Sequence, residues 1–243
     1  MKRLLCVFAH PDDECYGPGG TIAQAVLDGA EAFITTFTAG EAGTIGVSRT
    51  LHREELARRR RAEFTAACDA LGVSARRILE APDRGVAAVD ADWAIGEILD
   101  DIRRFRPQVV LTFHHLGVSG HPDHIAVAGF LDEAFGRAGN AGPQAYFEFG
   151  IPRRKAPLYD RPNLVPLEDE EIAAVVPIRA DAMERKVEAI RRHATQIEFF
   201  ESLQAKVDYR EVSTPEHFAL RRTRVARPAA PVGDLFEGIR DGW

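Results

Sequence analysis

Short apolar runs and longer amphipathic stretches alternate along this chain. Leu4-Leu5-Cys6-Val7-Phe8-Ala9 is a continuous apolar run, the pattern of a parallel strand covered on both faces. It ends at His10-Pro11. The glycine-rich Gly17-Pro18-Gly19-Gly20 precedes a helix-like stretch at 22–27, and 33–38 reads as a second strand, which completes a unit of βαβ size. Phe64, Ala67, Cys68 and Leu71 have i, i+3, i+4, i+7 spacing and predict a helix over 51–71, with Gly72 as its stop. The alternation continues with a short strand at 77–79, a helix marked by Ile95, Ile98, Ile102 and Phe105, and a buried strand at 109–113. A helix at 121–135, strands at 145–149 and 171–178, and a helix at 183–193 follow. The proline-bearing stretch 152–166 is a long excursion of open role. These patterns predict one α/β domain over 1–225, a Rossmann-like open, mainly parallel sheet with helices on both faces. Residues 226–243, Ala/Pro-rich and poorly periodic, are expected to form a peripheral C-terminal tail.

Composition narrows the function classes. The 37 acidic and 31 basic side chains give a formal charge of -6 over 243 residues, which argues against a generally basic nucleic-acid surface. Arg58-Arg59-Arg60-Arg61 has no aromatic interleaving and reads as a solvated helix face. No apolar run is long enough for a spanning helix, so a cytoplasmic chain with no membrane partner is expected. Three scattered cysteines, Cys6, Cys15 and Cys68, form neither a disulfide framework nor a CxxC site. The glycines at 17–20 lack the order of a dinucleotide fingerprint and the lysine of a phosphate-binding loop.

Two histidine-carboxylate clusters carry the chemistry. His10-Pro11-Asp12-Asp13-Glu14 closes the first strand, and His121-Pro122-Asp123-His124 follows the strand ending at Phe113. Both fall at carboxyl ends of predicted parallel strands, where ligand crevices of open sheets lie. Pro122 suits the first turn of a helix, and the three-residue spacing lets His121 and His124 turn toward one centre. Imidazoles and a carboxylate hold a catalytic zinc and leave a position open. His10, Asp13 and His124 are the chosen ligands; spacing alone leaves His121 or Asp12 as alternative ligands. Asp12 then stands near the metal as proton acceptor. His121 supplies a proton or a hydrogen bond to the reacting carbonyl, with Asp123 orienting it through its second ring nitrogen. Glu14 has either a structural or a pocket role. Arg49, His52 and Arg53 are candidates for substrate contact, and His114 and His115 for strand capping, metal support or substrate contact.

Ala9-His10-Pro11-Asp12-Asp13-Glu14, Gly19-Gly20-Thr21-Ile22 and Gly120-His121-Pro122-Asp123-His124 resemble the motifs of the PIG-L/LmbE family of zinc-dependent N-deacetylases. Weaker echoes are Gly40-Glu41, Arg60-x-x-Glu63, Arg106-Pro107 and Lys186 through His193-Ala194-Thr195-Gln196. The resemblance implies removal of acetyl from an N-acetylated amino sugar or glycoconjugate. It also implies zinc on His10, Asp13 and His124, Asp12 as general base, and His121 supported by Asp123 as acid or oxyanion stabiliser; because ligand sets overlap, another divalent metal such as Fe2+ is an alternative at the same residues. Residues 193–196 are implied to shape the pocket. Some mycothiol-type members have a tyrosine where this chain has Ser119. The expected partner is a small N-acetylated sugar conjugate. A homo-oligomer is also among the expectations, because several family members assemble. The competing functions are an amidase of a related thiol conjugate, a metallophosphoesterase and a non-catalytic metal-dependent binding protein. A second, carboxylate-bridged metal would favour the phosphoesterase.

Overall fold

The structure is a computed structural model that describes residues 1–43, 51–159 and 161–242; Arg49 lies outside them. In chain order the elements are β1 (Arg3–Phe8), α1 (Asp13–Tyr16), α2 (Gly19–Leu27), β2 (Glu31–Thr36), α3 (Arg53–Leu71), β3 (Ala75–Ile78), α4 (Ala91–Phe105) and β4 (Val109–Phe113). They continue with α5 (Gly117–Gly120), α6 (Pro122–Arg137), β5 (Ala145–Gly150), β6 (Ile172–Val176), α7 (Ala180–Arg192), α8 (Ile197–Gln204), α9 (Tyr209–Val212) and β7 (Glu216–Thr223). The strands form one sheet in the order β3-β2-β1-β4-β5-β7-β6. The five strands from β3 to β5 are parallel, and β7 runs antiparallel to both β5 and β6.

The continuous apolar run of β1 has a direct cause in this arrangement. Leu4, Cys6 and Phe8 face a core shared with α2, α3 and α7, whereas Leu5, Val7 and Ala9 face a second core shared with α4 and α6. Successive side chains of a strand point to opposite faces, so a strand covered on both sides is apolar at every position. The chain proceeds outward from β1 through β2 to β3, then returns to build β4 and β5 on the other side. The sheet therefore has its switch point between β1 and β4, where a crevice opens at the carboxyl ends.

Several elements depart from the sequence pattern. β7 was not expected, because its Glu216, His217, Arg221 and Arg222 break any apolar run; Glu216 and His217 are nonetheless buried. α8 also went unread. Among its described residues the tail has no helix or strand of its own, yet Val232, Leu235 and Phe236 are buried in the larger core and Val232 bridges to Ala174. Arg60 corrects the reading of the arginine run as one solvated face: it is 3% exposed. It falls in register with Leu56, Phe64, Ala67 and Leu71 on the buried face of α3. All three cysteines are free and buried. Among the described residues no helix is long and apolar enough to cross a membrane.

Candidate metal centre and active site

The two clusters meet across the switch point. His10 follows β1; His124 lies in the first turn of α6, whose entry is set by Pro122 at its start and by His121, which caps it. His10 Nδ1 and His124 Nε2 are 3.3 Å apart. Asp13 approaches both, with Oδ1 3.5 Å from His124 Nε2 and Oδ2 3.7 Å from His10 Nδ1. Ligands about 2.1 Å from a tetrahedral ion stand about 3.4 Å from one another, so this donor set fits a zinc-sized cation. The second ring nitrogens are also engaged. His124 Nδ1 is 3.1 Å from the Gly117 carbonyl, and His10 Nε2 is 3.2 Å from both Asp123 Oδ2 and Asp83 Oδ1. Such partners fix tautomer and ring orientation in metal sites.

The local electrostatics favour a cation at this point. Against the cost of burial, hydrogen bonds to Asp123, Asp13 and Asp83 push His10 up to about 12. Burial, assisted by His10 and His121, lowers His124 to about 4 and leaves its ring neutral, as a ligand must be. Asp13 is also buried, but His124 and His10 hold it down at about 2, so it is ionised.

Asp12 lines the hollow that also holds Asp13 and His124. Its backbone adopts φ 106°, and Arg60 reaches across from α3 to bind its carboxylate at 3.1 Å. The same guanidinium donates to the carbonyls of Pro11 and, at 2.9 Å, Gly40. An added Cβ at Gly40 would lie 2.4 Å from Arg60 Nη1, and φ there is +69°, so glycine keeps this passage open. Burial raises the Asp12 carboxyl to about 6, with Arg60 opposing and Asp13 adding to the rise. Glu14 is fully buried; one oxygen accepts the Asp12 N–H at 2.9 Å and the other lies 2.6 Å from His193 Nε2.

His121 accepts the Asp123 backbone N–H on Nδ1 at 3.2 Å, which leaves the proton of the neutral ring on Nε2. One ring nitrogen each of His10, His121 and His124 lie within 4.8 Å of one another. The Asp123 carboxylate is not on the second ring nitrogen of His121, as the sequence reading had it; it accepts from the Arg84 and Val86 amides and contacts His10. Capping geometry explains the difference. In the first turn of α6 it is the Asp123 N–H that meets the capping ring, while its carboxylate is taken up by the Arg84 and Val86 amides.

Asp83, 8% exposed, is a site residue that sequence reasoning passed over. Its only signal was a Pro-Asp-Arg-Gly loop following the third strand. Two motif echoes now have partners as well: Glu63 accepts from the Thr195 amide and hydroxyl at 3.0 and 2.6 Å, so the segments 60–63 and 193–196 buttress each other. His52 and Arg53 are exposed at the start of α3. His114 and His115 face elsewhere, toward Glu171 at 3.4 Å and Glu148 at 2.9 Å. The glycine-rich turn serves the protein's own anion: Gly20 and Thr21 donate to Glu216 at 2.9 and 2.8 Å, which occupies the start of α2.

Residues 5–135 match the family model described as PIG-L: GlcNAc-PI de-N-acetylase. A 1D-myo-inositol 2-acetamido-2-deoxy-alpha-D-glucopyranoside deacetylase of Mycobacterium sp. (strain KMS) is 36% identical over 263 residues, which cover 90% of this chain and 83% of that protein. The chain belongs to the PIG-L family. As a PIG-L protein it is a metal-dependent amide hydrolase of the N-deacetylase kind. The fold is shared with a 4-carboxy-2-hydroxymuconate hydratase from Pseudomonas putida, with a TM-score of 0.73 and 22% identity over 95% of this chain and 100% of the other. It is also shared with an N,N'-diacetylchitobiose deacetylase from Pyrococcus horikoshii, at 0.67 and 22% over 90% and 83%. A hydratase on the same fold illustrates that architecture alone does not select the reaction.

Proposed function

We propose that this PIG-L protein removes acetyl from an N-acetylated amino sugar or glycoconjugate, with zinc held by His10, Asp13 and His124. The observation that carries the metal assignment is the 3.3 to 3.7 Å spacing of the three donor groups. A divalent ion there supplies Lewis acidity, lowering the pKa of water and polarising the amide carbonyl. Asp12 accepts the proton of the attacking water, and its clamped carboxylate does so without reorganisation. The Nε2–H of His121 donates to the oxygen on which negative charge develops. Asp12 passes the proton it took from water to the departing nitrogen, which releases the amine and acetate. Asp123 acts one step removed, holding the His10 ring at the ligating angle and, through its amide, the tautomer of His121. The relatives' action on a glucosaminyl-inositol and on diacetylchitobiose supports an amino-sugar substrate.

A zinc-loaded assay on N-acetylglucosaminyl compounds tests the reading. Asp12→Asn is expected to keep one zinc per chain while losing at least a hundredfold in kcat; turnover equal to that of the parent would reject Asp12 as base. His10→Ala and His124→Ala are expected to lower bound zinc, read by elemental analysis after dialysis. Full occupancy in both would reject the ligand set.

A further inference from the structure

The metal centre opens on one side into a hollow of about 220 Å³ whose lining is mostly rings and branched aliphatics. Phe113 and Phe149 are buried at its base, whereas Tyr16, Tyr159, Leu164 and Phe199 remain half-buried around it. Apolar surface left partly exposed beside a reactive centre gains by being covered, and a ligand is what covers it. The wall is assembled from three distant parts of the chain and held in place. The Tyr16 hydroxyl donates to the Gln196 carbonyl at 3.0 Å, the Tyr16 and Phe199 rings are 5.4 Å apart, and the Arg161 guanidinium lies 4.0 Å from the Phe199 ring centre.

The excursion that carries Tyr159, Arg161 and Leu164 is tied to the loop before His121. The Val165 N–H donates to Val118 O at 2.6 Å and the Asn163 amide to Ser119 O at 3.1 Å. Val118 itself has φ 60°, a strained value for a β-branched residue. The loop that delivers the second histidine cluster thus also fixes the apolar wall. On the other side of His10 the flank is polar, with Asp83 and Asp123 both at 3.2 Å. Acetyl is too small to fill the hollow, and although Asp12, Ser119, Arg161 and Gln196 also line it, most of its wall is apolar and is best covered by an apolar occupant.

We propose that this hollow is a subsite for an apolar group, alkyl or aryl, carried on the amine half of the substrate. The natural substrate is then an amino-sugar conjugate with a hydrophobic aglycone. This rests on the deacetylase reading above: since the group removed is acetyl, the remaining apolar volume belongs to the amine.

The test compares methyl, hexyl and phenyl glycosides of N-acetylglucosamine as substrates of the zinc-loaded enzyme. Each buried methylene contributes roughly fourfold in affinity, so KM for the hexyl glycoside is expected at least tenfold below that for the methyl glycoside. The kcat values should stay close, because an apolar contact remote from the amide is made equally in ground and transition states. Phe199→Ala and Leu164→Ala are expected to erase most of that KM difference. Equal kcat/KM for the three glycosides, or a preference unchanged in both variants, overturns the proposal. Calorimetric binding of the amide-free hexyl and methyl glucosaminides separates the two readings. Tighter hexyl binding without hydrolysis of any acetylated glycoside keeps the subsite and sinks the deacetylase. Hydrolysis with equal binding of the two amines keeps the deacetylase and sinks the subsite.

Discussion

Asp12 holds a backbone conformation that side chains seldom adopt, φ 106°, at a cost of about 1–3 kcal/mol. Its neighbours make that conformation the one that satisfies them: Glu14 takes its N–H, Arg60 binds its carboxylate, and His193 seats Glu14. Arg60 is therefore a positioning residue for the proposed proton acceptor. Arg60→Met is expected to lower kcat about ten- to a hundredfold, the range seen when support around a metal site is removed, while zinc per chain stays at the parental value. An unchanged kcat in this variant would show that Asp12 holds its pose without the clamp. The contiguous motifs at 10–14 and 121–124 were legible because ligand types crowd into a few residues. Arg60, Asp83 and His193 were harder to read because each reaches the site alone from a distant segment. For Arg60 the signal was present: it sits four residues before Phe64, on the apolar stripe of its own helix.

The elements around β7 show how a buried charge organises the parallel sheet's edge. Glu216 accepts from the first amides of α2 and pairs with Lys186 of α7 at 2.7 Å, both side chains 1% exposed. Lys186 also donates to the Gly17 carbonyl at 2.9 Å, so one ion pair joins the glycine-rich turn, α2, α7 and β7. Gly20 is required by this packing, since an added Cβ would sit 2.7 Å from the Glu216 carboxylate. Removing one partner of such a pair strands the other, at about 3–5 kcal/mol. Lys186→Met is expected to lose about that much stability in urea unfolding, and Lys186→Met with Glu216→Gln to lose less than Lys186→Met alone. A double variant no better than the single would show that the loss is one of packing and not of stranded charge. β7 escaped notice in the sequence because its buried glutamate and histidine look like surface residues until their partners are known.

For the whole molecule, pH couples to folding through His217. The ring is 1% exposed and its Nε2 lies 3.0 Å from Arg154 Nη2, so it accepts a hydrogen bond and is neutral. Burial, with Lys155 and Arg154 close by and only partly offset by the Pro215 backbone and Asp169, holds it down at about 4. An unfolded histidine titrates near about 6.5. Between those values the unfolded chain binds more protons than the folded one, so this contribution is complete above about pH 6.5 and falls away as pH drops toward 4. His217→Gln is expected to flatten the slope of unfolding free energy against pH in that window. An identical slope would place the titration elsewhere.

The sequence by itself determined the parallel α/β order, the two histidine-carboxylate clusters and the family, because these are written in contiguous patterns: apolar runs buried on two faces, and ligand types packed into short motifs. Tertiary structure alone decided which donors converge at 3.3 to 3.7 Å and which ring Asp123 supports. It also decided that an arginine from α3 holds Asp12 directly and a histidine after α7 holds it through Glu14, and that a largely apolar hollow adjoins the proposed metal centre. Those outcomes depend on contacts between residues tens to nearly two hundred positions apart. No local pattern encodes such distances; the packing of helices on both faces of the sheet does.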